Sequence, residues 1–412
     1  MFKSLKSYKK IIFISFLGTS LEFYDFTLYG IFASAIATHF FPAENEMLSL
    51  LAAFGAFAAG FVMRPLGGLL FGYIGDTYGR RKALSLSILL MGVPTLITAL
   101  LPTYQTIGIL APIVIVFSRL LQGLSTGGEF NGAAIFALEH VKENHPGFVG
   151  SLLAVAGGVG AIFAMLLGAL VSTNYFPDYG FRIPFLIGAA ISLLGFYLRR
   201  KLEESPEFLK IKSENHPKIP LMKILKDYFP QFGSGFSIGA LDGATAYLLV
   251  GFMNVYLSKF IGMDISQAML LNSFSLAVYI IFTPLMGILF DKSQPGKFIR
   301  LMCLAVIICA PIIFIGLQTQ NMALILLSEG LFALIFAAVS GSQHAYLQNL
   351  FPTRIRYTGI SFSFNLGTAI LGGTTPVLMT YLYDITQNLM IPAYFLMALA
   401  LMTLVLNFKG KK

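Results

Sequence analysis

This chain has no tryptophan and only two cysteines among its 412 residues, and charged side chains make up just 11% of it. Each shortage excludes something. A soluble domain carries about 25% charged residues, and a water-exposed chain that is 56% hydrophobic would show large apolar patches and aggregate. The bilayer is therefore its expected solvent. Without tryptophan, any aromatic belt falls to the 18 tyrosines and 39 phenylalanines. Cys303 and Cys309 lie six apart in one apolar run, on different faces of a helix, which argues against a disulfide between them. The histidines (His39, His140, His145, His216 and His344) are scattered, and no Cys/His cluster has ligand spacing, so no metal is expected. A Walker-type glycine loop is missing too, so the chain reads as neither an ATP-driven pump nor an enzyme, and it calls for no cofactor. The formal charge of +9 suggests nucleic acid as a partner, but the basic residues sit in short segments between apolar runs, which is a membrane-orientation pattern.

What the sequence does have is apolar runs of membrane-spanning length. They fall near 11–40, 47–74, 83–101, 108–138, 148–172 and 181–199, then near 228–258, 266–290, 301–318, 322–349, 357–383 and 389–408. The expected fold is an all-α membrane protein of twelve transmembrane helices in two pseudo-symmetric six-helix bundles, 1–199 and 228–412, joined by a charged linker, 200–227. The first run is too long for a signal peptide, holds Glu22 and Asp25, and is followed by no small-residue cleavage site.

Orientation follows from the loops. With the N-terminus in the cytoplasm, 24 of the 28 basic residues fall on the inside, from Lys3, Lys6, Lys9 and Lys10 through Arg80, Arg81, Lys82, Lys142 and the linker to Lys409, Lys411 and Lys412. Only Arg182 and Lys259 fall outside, and Arg64 and Arg119 lie within helices. Both termini are thus expected in the cytoplasm of a cell-membrane protein. The halves also echo each other. Gly72-Tyr-Ile-Gly-Asp76 ends the second run and Gly287-Ile-Leu-Phe-Asp291 ends the eighth, while Gly150-Ser151 after the fourth has a counterpart in Gly359 and Ser361 after the tenth. Parallel six-helix halves place a substrate between them.

The segment Gly72-Tyr-Ile-Gly-Asp-Thr-Tyr-Gly-Arg-Arg81 joins two helices tightly, with Gly72 and Gly79 where a side chain would obstruct the backbone. Asp76, Arg80 and Arg81 are placed to pair with one another or with neighbouring helix ends, as a latch between the halves, and Asp291 is the second-half equivalent of Asp76. Ionisable groups at membrane depth are costly unless paired or hydrated, so each is a functional candidate. Glu22 and Asp25, three apart, share a face of the first helix, and Tyr29 adds a hydroxyl one turn later. In the fourth helix Arg119 with Thr126, and Gln122 with Glu129, form one polar stripe. Arg suits bidentate capture of a carboxylate; the stripe is placed to grip an anionic substrate or to pair with the first helix. In the second half, Asp242 and Glu329 are the comparable acids, each either functional or hydrated near a helix end. Tyr247, Asn254, Gln343, Asn365 and Thr374 are polar candidates for lining a substrate site, or for holding helices together.

The same segments carry a resemblance. The 72–81 segment is similar to the signature loop of the major facilitator superfamily, Arg119-Leu-Leu-Gln-Gly123 resembles its Arg-x-x-x-Gly motif, and Glu203-Glu-Ser-Pro-Glu-Phe208 resembles its linker. Leu21-Glu-Phe-Tyr-Asp-Phe26, Arg64-Pro-Leu-Gly-Gly68, Gly123-Leu-Ser-Thr-Gly-Gly-Glu129, Gly180-Phe-Arg-Ile-Pro-Phe185 and Leu350-Phe-Pro-Thr-Arg-Ile-Arg-Tyr-Thr-Gly359 narrow it to the metabolite:proton symporters. Those take up organic acids, shikimate-like compounds, proline or betaine. Asn349 and Thr77 depart from the usual pattern, and the C-terminal coiled coil of the osmosensing members is not found here. The resemblance implies a proton-coupled symporter, functional as a monomer, working by alternating access on a small organic acid or zwitterion. Related sugar porters face an Asp of helix 1 with an Arg of helix 4, which Asp25 and Arg119 resemble; Asp25, Glu22 and Glu129 are then the proton-coupling candidates. An exchanger or uniporter of similar solutes is the first alternative, and a transport-dead nutrient sensor the second.

Overall fold

The computed structural model describes residues 8–43, 45–141, 145–172, 178–213, 226–319 and 321–407. Lys3, Lys6, Lys142, Lys218, Lys223, Lys409, Lys411 and Lys412, used above for orientation, lie outside the described residues, as does the 214–225 part of the linker.

The apolar runs become helices. In the first half these are α1 (Lys9–Ile31) continued by α2 (Ala33–Phe40), α3 (Glu46–Tyr78), α4 (Arg80–Leu100), the short α5 (Tyr104–Ile107), α6 (Leu110–Val141), α7 (Pro146–Val171) and α8 (Arg182–Arg200). A linker helix, α9 (Pro206–Ser213), follows. The second half holds α10 (Phe229–Phe260), α11 (Ile265–Asp291), α12 (Pro295–Leu317), α13 (Met322–Gln348), α14 (Arg356–Gly367), α15 (Thr375–Thr386) and α16 (Ile391–Leu406). Ten helices among the described residues are long and apolar enough to cross a membrane. The interrupted α14–α15 segment and the shorter apolar α16 are consistent with twelve. Their outer surface is apolar, with Val377 74% and Leu270 72% exposed, as lipid contact requires.

Local chemistry sets several boundaries. Asn45, Asp264 and Asn321 each cap the helix that follows, accepting from its first free N–H groups. Gly79 separates α3 from α4 at φ +111°, in the region only glycine enters at little cost. Three π-helical turns, Leu248–Phe252 and Tyr256–Phe260 in α10 and Thr368–Gly372 after α14, interrupt the second half. No sequence pattern announced them.

Packing repeats between the halves. In the first, α3 packs on α6, α1 on α7 and α4 on α8; in the second, α11 packs on α13, α10 on α14 and α12 on α16. The halves meet through α3 against α14 and α7 against α11. These are symmetry-equivalent pairs, so the chain is the all-α, pseudo-symmetric double bundle expected.

Candidate functional site

A close helix contact in the first half is made by glycine. A Cβ on Gly123 would lie 2.0 Å from the Gly60 carbonyl oxygen, and one on Gly127 2.0 Å from that of Arg64. Small residues four apart let α3 and α6 approach backbone to backbone. That approach brings Arg64, near the middle of α3, and Arg119 of α6 up to the acidic face of α1.

Arg119 is 1% exposed, and its Nη1 lies 3.3 Å from Oδ2 of Asp25, itself 2% exposed. Thr95 of α4 donates to the other Asp25 oxygen at 2.6 Å, and Gln122 donates to Thr95 at 2.9 Å. The guanidinium sits 4.2 Å from the centre of the Tyr29 ring, whose hydroxyl donates to the Ala53 carbonyl. Asp25, Arg119, Gln122 and Tyr29 are thus brought together. None of the three Arg119 nitrogens has a hydrogen-bond partner among the described residues. A buried guanidinium with one nitrogen in a loose ion pair and no well-formed hydrogen bond is able to receive acceptor oxygens.

A second pair lies beside it. Arg64 Nη2 is 3.7 Å from Oε1 of Glu22, and Arg64 Nη1 donates to the Tyr247 hydroxyl of α10 at 3.4 Å, across the interface between the halves. Phe26 and Phe61 flank the same guanidinium. Glu129, expected on the α6 polar stripe, is committed elsewhere. Arg199 at the end of α8 grips both its oxygens and Ser87 donates to it at 2.6 Å. Arg199, one of the 24 basic residues assigned to the inside, is 2% exposed and reaches into the bundle.

In the second half, Asp242 and Glu329 are buried (8% and 0% exposed), so neither is hydrated at a helix end. Ser340 donates to Asp242 at 2.5 Å, and the Gln343 amide, with its nitrogen turned toward Asp242, donates to both oxygens at 3.2 and 3.3 Å. Ser275 donates to Glu329. Asn365 binds the Gly127 carbonyl at 2.8 Å, so it joins the halves. Asn254 lies in α10 between the two π turns, its side-chain oxygen without a partner among the described residues.

The latch residues cluster where the basic loops sit. Asp76 accepts from the N–H groups of Tyr357 and Thr358 at the start of α14, at 3.1 and 2.8 Å. Gly72 lets α3 approach: a Cβ there would be 2.5 Å from the Thr358 Cα. Asp291 accepts from the Gly147 and Phe148 N–H groups at the start of α7, at 2.6 and 2.9 Å. Arg80 is fully buried, 3.2 Å from Asp76, and bonds the Gly75 and Thr353 carbonyls. Arg81 does not join it; it turns to the linker, bonding the Leu202 carbonyl. The residue that sequence reading missed is Glu139. It is 0% exposed at the centre of this end, paired with Arg80 at 3.1 Å and Arg356 at 3.0 Å and bonded by Ser205. Arg356 also pairs with Glu207 of α9. The signal was available: an acid in the last three turns of an apolar α6.

Known proteins resemble this chain in sequence and in fold. The Major Facilitator Superfamily pattern matches residues 15–376. A proline/betaine transporter of Escherichia coli K12 is 34% identical over 98% of this chain and 83% of its own length. A glycine betaine/proline/ectoine/pipecolic acid transporter of Dickeya dadantii is 32% identical over 96% of this chain and 82% of its own length. Among solved structures, a proton:xylose symporter superposes with a TM-score of 0.79 at 15% identity, over 97% of this chain and 94% of that one. A fucose transporter in the outward conformation superposes with a TM-score of 0.72, also at 15% identity, over 99% and 100%.

Proposed function

Because this chain belongs to the major facilitator superfamily and is a multi-pass membrane transporter by its relatives, we propose that it is a proton-coupled symporter importing a small carboxylate-bearing or zwitterionic solute. The observation that carries this reading is Arg119, buried and paired with Asp25 through Nη1, with Nε and Nη2 free of hydrogen-bond partners among the described residues. Proline, betaine, ectoine and pipecolic acid, for which the relatives are named, each bear a carboxylate that this fork could bind.

The cycle runs by alternating access. The basic end is cytoplasmic, with both termini there, in the cell membrane, and a monomer suffices. Asp76, Asp291 and their helix-end partners close that end while the solute enters from the other. The solute carboxylate takes Arg119, Asp25 loses its counter-charge, and a proton from the outside neutralises it. With both charges satisfied, the halves rock, the latch opens and solute and proton leave inward. Binding then differs between the two states, as any ligand-driven shift requires. Uptake into proteoliposomes with an imposed proton gradient tests this reading. Accumulation that an uncoupler abolishes is expected; transport indifferent to the uncoupler would make the protein an exchanger or uniporter.

A further inference from the structure

The Arg64 pair is not needed for carboxylate capture, yet it is buried at the meeting of the halves. Its guanidinium carbon lies 5.0 Å from the centre of the Phe26 ring and 4.9 Å from that of Phe61, with Glu22 3.7 Å away. Neither Glu22 oxygen, nor Arg64 Nε, has a hydrogen-bond partner among the described residues. Arg64 is therefore held there by charge and ring faces more than by directed hydrogen bonds. Phe61 also packs on Tyr247 of the other half and on Phe57, so its ring is fixed in place. One cation is thus shared by two aromatic rings and an acid with no hydrogen-bond donor on it among the described residues, a surrounding that also suits an ammonium whose hydrogens are replaced by carbon.

We infer that Glu22, Phe26 and Phe61 form the site for the cationic group of a zwitterionic solute, with Arg64 its resident stand-in until the solute displaces it. This rests on the reading that Arg119 takes the carboxylate. The two poles fit one small molecule: Glu22 and Asp25 are three residues apart on α1, a rise of about 4.5 Å. Glu22 then serves as a specificity residue, distinct from the proton site at Asp25. Plain organic acids, lacking the positive group, leave Arg64 in place and gain nothing from the aromatic rings.

The test is binding to the purified protein by calorimetry with three probes: glycine betaine, its carbon isostere 3,3-dimethylbutanoate, which keeps the carboxylate and lacks the positive charge, and tetramethylammonium. Wild type is expected to bind betaine at least about tenfold tighter than the isostere, the scale of a desolvated cation–ring contact. Glu22→Gln and Phe61→Ala should each weaken betaine about tenfold and leave the isostere within about twofold. Arg64→Ala should tighten tetramethylammonium, because it removes the resident cation. Arg119→Gln separates the two ideas. If it leaves betaine and the isostere unchanged, the carboxylate reading fails, while the response of tetramethylammonium to Phe61→Ala still decides the cationic site. Equal wild-type affinities for betaine and isostere, or binding of neither betaine nor tetramethylammonium, overturns the inference. That comparison needs no variant to fold.

Discussion

Asp76 and Asp291 perform the same act from opposite halves of the molecule. Each ends a helix, and each accepts the free backbone N–H groups at the start of a helix in the other half, Tyr357 and Thr358 for one and Gly147 and Phe148 for the other. A carboxylate at a helix N-terminus satisfies orphan donors and meets the positive end of the helix dipole. The halves are thus clasped twice at the basic end by one device repeated.

Asp76→Asn and Asp291→Asn should loosen that clasp without unfolding either half. A hydrogen bond to a charged group contributes about 1.5–3 kcal/mol, and an amide retains only part of it. Spin-label distances across the basic end should shift toward the separated state in each variant, and further in the double variant. Unchanged distance distributions would remove the clasp.

Gly72→Ala is expected to act on the same step by obstruction. Its Cβ would meet the Thr358 backbone, which has no flexible end to move aside. Labelling of a cysteine introduced at this end should rise while the thermal midpoint stays near that of the wild type. A large loss of midpoint with unchanged labelling would mean that Gly72 serves packing within its own half.

Glu139→Gln should be the most destabilising of the conservative acid changes, because it leaves Arg80 buried without its main counter-charge. Removing one partner of a buried pair costs about 3–5 kcal/mol. Thermal unfolding in detergent, beside Glu203→Gln in the linker as a control, measures it. Equal midpoints for the two variants would contradict a central role for Glu139.

Much of this was legible in the sequence, for reasons that differ by residue. The helices follow from runs of apolar residues, which depend on local composition alone. Asp25 and Arg119 stood out because charges in apolar helices are conspicuous, and Glu22 with Asp25 because spacing three fixes a shared face. Asp76 and Asp291 could be matched as repeats, but their backbone partners, some 280 and 144 residues away, could not. Arg199 was misleading: at a helix end it looks like a loop charge that sets orientation, yet it is buried and paired. Glu129 seemed to belong with Gln122, seven residues away on α6, but Arg199 claims it from another helix. Long-range pairing decides which charge meets which, and helix periodicity does not contain it.

Arg119→Lys keeps the charge and loses the planar fork, so carboxylate affinity should fall by about tenfold or more, and Arg119→Gln should lower it further. Binding by calorimetry measures both. Wild-type affinity in both variants would leave Arg119 a partner of Asp25 only.

The central claim is that Asp25 couples the proton to the solute, and one measurement bears on it most directly: proton-driven uptake against counterflow exchange in the same proteoliposomes carrying Asp25→Asn. Asparagine stands in permanently for the protonated acid. The account gives loss of proton-driven accumulation with counterflow retained, while Asp242→Asn keeps both. Full proton-driven accumulation by Asp25→Asn would contradict it.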